Sequence, residues 1–257
     1  MTSKWNYLPL TTEEQKLEIG LAKSYANCPP ISELLVQRGI TSVEEAEKFF
    51  HPSLKDMHDP FLMPDMDKAV NRLNQAMGSK EKIMVYGDYD VDGTTSVALV
   101  YKYLLNFYSH IEYYIPTRYD DGYGISTRCI DEAAERNIKL IIILDCGIKA
   151  INEIKYAKEK GIDFIICDHH VPDEELPDAV AILNPKLEGS TYPCPHLSGC
   201  GVGYKLMQAF ALSNGLPFTE LEAMLDLVAV SIAADIVPMV DENRIMTETA
   251  AMLVKYT

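Results

Sequence analysis

The chain has 257 residues, of which 47% are hydrophobic and 24% charged. That excludes a disordered, collagen-like or disulfide-dense chain and leaves room for one large domain, or one domain with a small extension. No apolar run reaches the ~18 residues that span a bilayer, and MTSKWNYLPLTTEEQ lacks an apolar signal core, so neither a membrane anchor nor export is expected. The formal net charge is −15. A partner held mainly through its phosphates favours the opposite sign, so the ligand is not a polyanion, or bound cations reverse the local field, or a basic part is missing. Six cysteines without CxxC spacing read as reduced, cytoplasmic thiols.

Residues 1 to about 80 read as a helical and irregular extension, and 81–257 as the main domain. TTEEQKLEIGLAKSYA has helix-start chemistry, and Pro29 and Pro30 end it. Ile31 to Arg38 reads as a short helix closed by Gly39, and Thr41-Ser42-Val43-Glu44-Glu45 offers a hydroxyl cap followed by acids. HPSLKDMHDPFLMPDM is irregular, and Asp67 to Met77 is an amphipathic helix with Ala69, Val70, Leu73 and Met77 on one side.

From Lys82 apolar runs alternate with helices. The runs IMVYG (83–87), IEYYIP (111–116), LIIIL (140–144), DFIIC (163–167) and AVAIL (179–183) are short and apolar on both faces, as buried parallel strands are. Helices over 94–108, 126–136 and 149–160 supply the crossovers. The expected fold is α/β: a doubly wound, mainly parallel five-stranded sheet flanked by helices. A loop over 184–200 precedes helices near 202–214, 218–235 and 243–256.

The chemistry gathers at the ends of these runs. Asp88, Asp90 and Asp92 follow the first run at alternate positions, which an extended backbone points to one side. Carboxylates so close repel unless cations sit among them; the plain alternative is an acidic turn with Asp92 capping a helix that Thr94 begins. Asp145 follows LIIIL, and Asp168-His169-His170 follows DFIIC. The C-terminal ends of parallel strands share one edge, where ligands bind, so these groups should converge. Asp235, between Ala234 and Ile236, is poorly placed for solvent and needs a partner. Oxygens plus imidazole suit Mn²⁺ or Mg²⁺ better than structural zinc. Two such cations ~3.5–4 Å apart with a bridging carboxylate, for which Asp145 is central, activate water at a phosphoryl centre. His170 could donate to a phosphate oxygen or to the leaving group.

This ordered set resembles the DHH phosphoesterase superfamily: DxD, an Asp after a strand, Asp168-His169-His170, then a later Asp. LLVQRGITSVEEAEKFFHPSL, DPFLMPDMDKAVNRL, PTRYDDGYGIS, LSGCGVGYKL and AADIVPMVDENR extend the likeness to its RecJ-like exonucleases, over roughly Cys28 to Arg244. The resemblance implies hydrolysis of single-stranded DNA from a 5′ end in repair or recombination, with two Mn²⁺ or Mg²⁺ ions and possible repair-protein partners. It implies Asp90, Asp92, Asp145, His169 and Asp235 as metal ligands, His170 at the scissile phosphate, and Asp88 and Asp168 as supports. Arg118 would grip a terminal phosphate, unless it pairs with Asp120 or Asp121, and Lys205 would approach the substrate backbone. The glycines of 199–203 are either backbone contacts or packing. Tyr86 stands where relatives acting on small substrates often carry a histidine ligand. A second DHH-associated domain and an oligonucleotide-binding barrel, usual in RecJ-like enzymes, cannot fit after Thr257. The alternatives are a hydrolase of short oligonucleotides or cyclic dinucleotides, and a non-catalytic scaffold.

Overall fold

The computed structural model describes residues 9–24, 28–117 and 124–256. The chain forms two compact units that divide between Ser53 and Leu54. The stretch expected as an extension over 1–80 is therefore shared, with 54–80 belonging to the larger unit.

The smaller unit holds α1 (Thr12–Ser24), α2 (Pro29–Gln37) and α3 (Val43–Phe50) around Leu21, Leu35, Val36 and Ala46. Pro29 and Pro30 open α2 rather than merely ending the helix before it. A first-turn residue needs no N–H partner, and proline's fixed φ suits that turn. Gly39, at φ 77°, follows the end of α2. Ser42 caps α3 in a reciprocal box with Glu45, as the hydroxyl-acid spacing predicts.

In the larger unit, two single-turn 3₁₀ segments (Leu54–Asp56 and Pro60–Leu62) lead into α4 (Met66–Gly78). Then β1 (Lys82–Gly87), α5 (Val91–Leu105), β2 (Ile111–Tyr114), α6 (Thr127–Glu135), β3 (Ile138–Leu144), α7 (Ile151–Glu159), β4 (Asp163–Cys167) and β5 (Ala181–Leu183) alternate as expected. All neighbouring strands are parallel, in the order β2-β1-β3-β4-β5. The side-chain alternation of the strands feeds two cores. Ile83, Val85, Leu140, Ile142 and Leu144 face one cluster, and Met84, Tyr86, Ile141, Ile143 and Phe164 face the other.

The chain closes with α8 (Gly199–Asn214), α9 (Thr219–Glu222), α10 (Leu225–Ala234) and α11 (Asp241–Tyr256). The single helix expected over 218–235 is thus two, but Leu221, Met224, Leu225, Val228 and Ile232 are all buried, as their stripe requires. Among the described residues no helix is long and apolar enough to cross a membrane.

Candidate metal centre

The sheet register builds the site. Gly87 pairs with Leu144, Leu144 with Cys167, and Cys167 with Leu183. One residue beyond that row stand Asp88, Asp145, Asp168 and Asn184. The chain leaves β1 toward β2 on one side and returns as β3 on the other, so strand order reverses between them. A crevice opens at such a reversal, at the carboxyl ends of the strands.

The three aspartates after β1 do not share one extended face. The helix α5 starts at Val91, not Thr94, because Asp90 is its cap: Oδ1 accepts the Gly93 N–H at 2.9 Å. Asp88 and Asp92 are buried while Asp90 is exposed. Gly93 is required here, since a Cβ would lie 2.4 Å from the Asp88 carbonyl oxygen. Burial raises the pKa of Asp88, opposed by a hydrogen bond from the Tyr89 N–H.

Asp92 is held at the N-terminus of α8. Its Oδ2 accepts the Gly199 N–H at 2.7 Å, and its Oδ1 accepts the Cys200 N–H at 2.8 Å and the Ser231 hydroxyl at 2.7 Å. A helix N-terminus favours such a carboxylate through its unpaired amides and dipole. These bonds link positions more than 100 residues apart in sequence, and the close packing of α8 on Asp145 explains why a glycine opens it. A Cβ on Gly199 would meet the Asp145 Cβ at 2.6 Å and Oδ1 at 2.7 Å. Gly199→Ala is therefore expected to displace Asp145 and abolish divalent-cation binding, with circular dichroism unchanged. Calorimetric titration with Mn²⁺ checks this; wild-type affinity would refute it.

His169 is the hub. Its Nε2 lies 3.2 Å from Asp145 Oδ1 and 3.6 Å from both Asp92 Oδ2 and Asp235 Oδ2. Asp145 sits at φ 58°, a left-handed conformation that aspartate tolerates. Burial, then the neighbouring Asp92 charge, push its pKa up to about 10. Asp235, at the end of α10, is about one-third exposed, and burial raises its pKa against the pull of His169.

Asp168 is fully buried and organises its own tripeptide. Its Oδ1 accepts the His169 and His170 N–H groups at 2.7 and 3.0 Å and His170 Nδ1 at 2.7 Å; its Oδ2 accepts the Ile148 N–H at 3.0 Å. Burial works to raise its pKa, but the His170 hydrogen bond and charge outweigh it and the net direction is down. The same bond raises the pKa of the half-exposed His170. Beside His170 lies a cavity of about 460 Å³ lined by Ile125, Ile148, Ala150 and Val171 together with Lys149, Glu153 and Asp168.

Among the described residues, two sets of donors lie close enough to hold an ion: Asp145, His169 and His170, and Asp92, His169 and Asp235. Asp145 Oδ1 and both His169 ring nitrogens are buried without a hydrogen-bond partner. Buried polar atoms are ordinarily satisfied, so this pattern fits a cation-binding role, and the oxygen–imidazole set fits Mn²⁺ or Mg²⁺. Asp90 is in neither set, though its charge raises the Asp145 pKa.

Lys205 is corrected. It is fully buried, donating to Glu242 Oε1 at 2.8 Å and to the His58 carbonyl at 2.7 Å, so it cannot approach a substrate backbone. Removing one partner of a buried ion pair strands the other and costs about 3–5 kcal/mol. Lys205→Ala is expected to lower the melting temperature by roughly 10 °C, measurable by thermal denaturation; an unchanged midpoint would refute the core role. Arg118 lies outside the described residues.

Sequence reasoning missed Asn184, Ser198 and Ser231. Asn184, buried, donates to the His170 carbonyl at 2.9 Å. It follows the fifth apolar run directly, so the strand-end rule that found Asp145 and Asp168 would have found it. Ser231 donates to Asp92 and lies 2.6 Å from the Ser198 hydroxyl, which caps α8; no local pattern marks either.

Among known proteins, the chain is 45% identical over 218 residues to the single-stranded-DNA-specific exonuclease RecJ of Bacillus subtilis, covering 85% of this chain and 27% of that one. It therefore spans about a quarter of that relative's length. A crystal structure of exonuclease RecJ bound to manganese superposes with a TM-score of 0.68 at 29% identity, covering 74% of this chain and 48% of the other. The fold of RecJ from Thermus thermophilus, in complex with Mn²⁺, matches over 95% of this chain and 34% of that one, with a TM-score of 0.79 at 23% identity. Residues 82–232, which hold every strand and all but one of the aspartates and histidines gathered at the crevice, match the model of the DHH family, N-terminal domain, and the chain belongs to the DHH family.

Proposed function

We propose that this chain is the catalytic part of a two-metal phosphodiesterase, a RecJ-like exonuclease that degrades single-stranded DNA from its 5′ end. The observation that carries the reading is the convergence of Asp92, Asp145 and the partly exposed Asp235 on His169, with Asp145 Oδ1 and both His169 nitrogens buried and without a hydrogen-bond partner. Mn²⁺ or Mg²⁺ bound there would lower the pKa of water and stabilise charge on phosphoryl oxygens.

The chain's own groups divide the remaining work. Asp145, with two oxygens and a place in one donor set beside the other, is the candidate to bridge two ions. Asp168 commits His170 Nδ1, so Nε2 is the nitrogen that meets a phosphate oxygen or hands a proton to the leaving oxygen. The cavity beside His170 is of nucleotide size, and its lining sets aliphatic side chains beside Lys149 and Glu153. Asp88 supports the cluster from the strand end, and Arg118 remains the candidate to bind a terminal phosphate. Cations in the centre would also offset part of the −15 charge against a polyanion. The free thiols suit a reducing, cytoplasmic setting, and repair proteins are the expected partners.

The test offers the chain Mn²⁺ with a 5′-phosphorylated single strand, a duplex and a cyclic dinucleotide. Mononucleotides from the single strand alone are expected. Cleavage of the cyclic dinucleotide alone would replace the reading with a small-phosphoester hydrolase, and metal binding without any cleavage would favour a scaffold.

A further inference from the structure

Asp235 differs from the other donors in its setting. It is the most exposed member of its set, and it ends α10 where the chain enters the segment 236–240 before α11. The next residue, Ile236, has φ 56°. Left-handed backbone is a genuine outlier for a β-branched residue. The Ile236 side chain is 87% exposed, so burial of that side chain does not repay the strain. Such strain persists only where the surroundings over-determine it.

Part of those surroundings is Asn243, which is fully buried in the first turn of α11, beside the Val240 N–H that the Pro238 carbonyl also accepts at 2.9 Å. Its Nδ2 donates to the Pro238 carbonyl at 3.0 Å and to the His196 carbonyl at 2.6 Å. Both partners can only accept, so the amide nitrogen must face them. Pro238 lies in the segment that carries Asp235. His196 lies two residues before Ser198, the cap of α8, whose first amides hold Asp92. One amide group thus ties together the segments that place Asp92 and Asp235. Its base is rigid: the adjacent Glu242 accepts from Lys205, the His58 N–H at 3.0 Å and the Tyr192 hydroxyl at 2.5 Å.

We propose that Asn243 is a positioning residue for the metal centre: its bridge between the Pro238 and His196 carbonyls holds Ile236 left-handed, and so keeps the Asp235 carboxylate beside His169. The inference rests on the divalent-cation reading above, and it is tested on metal binding rather than turnover.

The full chain, Asn243→Ala, Ile236→Gly and the double variant are titrated with Mn²⁺, followed by electron paramagnetic resonance and calorimetry, with melting temperatures recorded without metal. Asn243→Ala is expected to weaken one Mn²⁺ site about tenfold or more, the scale of losing a group that orients a ligand. Ile236→Gly alone should bind as wild type. The double variant should recover most of the loss, because glycine occupies the left-handed region without a clamp. A merely structural Asn243 would lower the melting temperature of both Asn243 variants without this glycine rescue. If Asn243→Ala does not fold, Asn243→Ser, which keeps one donor, replaces it in both backgrounds. Wild-type Mn²⁺ affinity in the Asn243 variant, or a loss that Ile236→Gly leaves intact, overturns the positioning role alone. A wild-type chain that binds no Mn²⁺ overturns the divalent-cation reading and this inference with it.

Discussion

Asp145→Asn is expected to raise the melting temperature of the metal-free protein while abolishing cleavage. Asp145 is 2% exposed, and burial and Asp92 push its pKa up to about 10. An ordinary carboxylate is ionised at neutral pH, so folding must either bury the charge or take up a proton. The sign follows from linkage: the penalty is present at neutral pH and disappears as pH falls below the ordinary carboxylate pKa. It is on the order of a few kcal/mol, or roughly 5–10 °C in a chain of this size. Asparagine keeps the shape and tolerates the left-handed backbone at φ 58°. It removes the negative charge that a cation needs, so Mn²⁺ binding should be lost and cleavage should fall about 10³-fold or more. Scanning calorimetry in EDTA, paired with a nuclease assay, reads both. A variant less stable than wild type without metal would show that the carboxylate is no burden to the fold, and one that still cleaves would remove Asp145 from the centre.

The second large effect runs the other way. Asp168→Ala is expected to destabilise the protein even without metal, because four donors converge on that carboxylate: three backbone N–H groups and His170 Nδ1. Leaving buried donors unpaired costs about 1–3 kcal/mol each, not fully additively, so a total near 3–5 kcal/mol and a fall of roughly 10 °C are expected. His170 would lose its orientation and His169 its backbone anchor, lowering activity about 10- to 100-fold at temperatures where the variant is folded. Thermal melts with EDTA, followed by assays well below the midpoint, separate the two effects. An unchanged midpoint would show that the carboxylate does not anchor the tripeptide. Asp145 and Asp168 occupy equivalent places past adjacent strands. What separates them is that one is surrounded by donors and the other by carboxylates.

The α/β alternation and its five strands were legible because buried parallel strands need continuous apolar runs, and these runs are short and rich in isoleucine. LIIIL and DFIIC mark β3 and β4 with little error at the end nearest the site. The helix starts were less legible. Asp90 and Asp92 offer the same capping chemistry two residues apart, and the sequence does not say which one the backbone uses; the close approach of Gly93 to Asp88 decides for Asp90. Lys205 was misread because a lysine beside glycines looks like a phosphate contact. Its partner Glu242 lies far along the chain and carries no local signal.

The sequence by itself determined the sheet, the edge where chemistry would gather, and the residue types that gather there. Each of these follows from period-two burial and from the rule that parallel strands end along one side. The tertiary structure alone decided which carboxylates are first in line. Asp92 is held by α8 amides and Ser231, Asp235 is brought to His169 from the end of α10, and Asn184 supports His170 from the last strand. Such bonds join groups distant in the chain, and their energy depends on burial and on exact partners, which a linear order of residues does not carry.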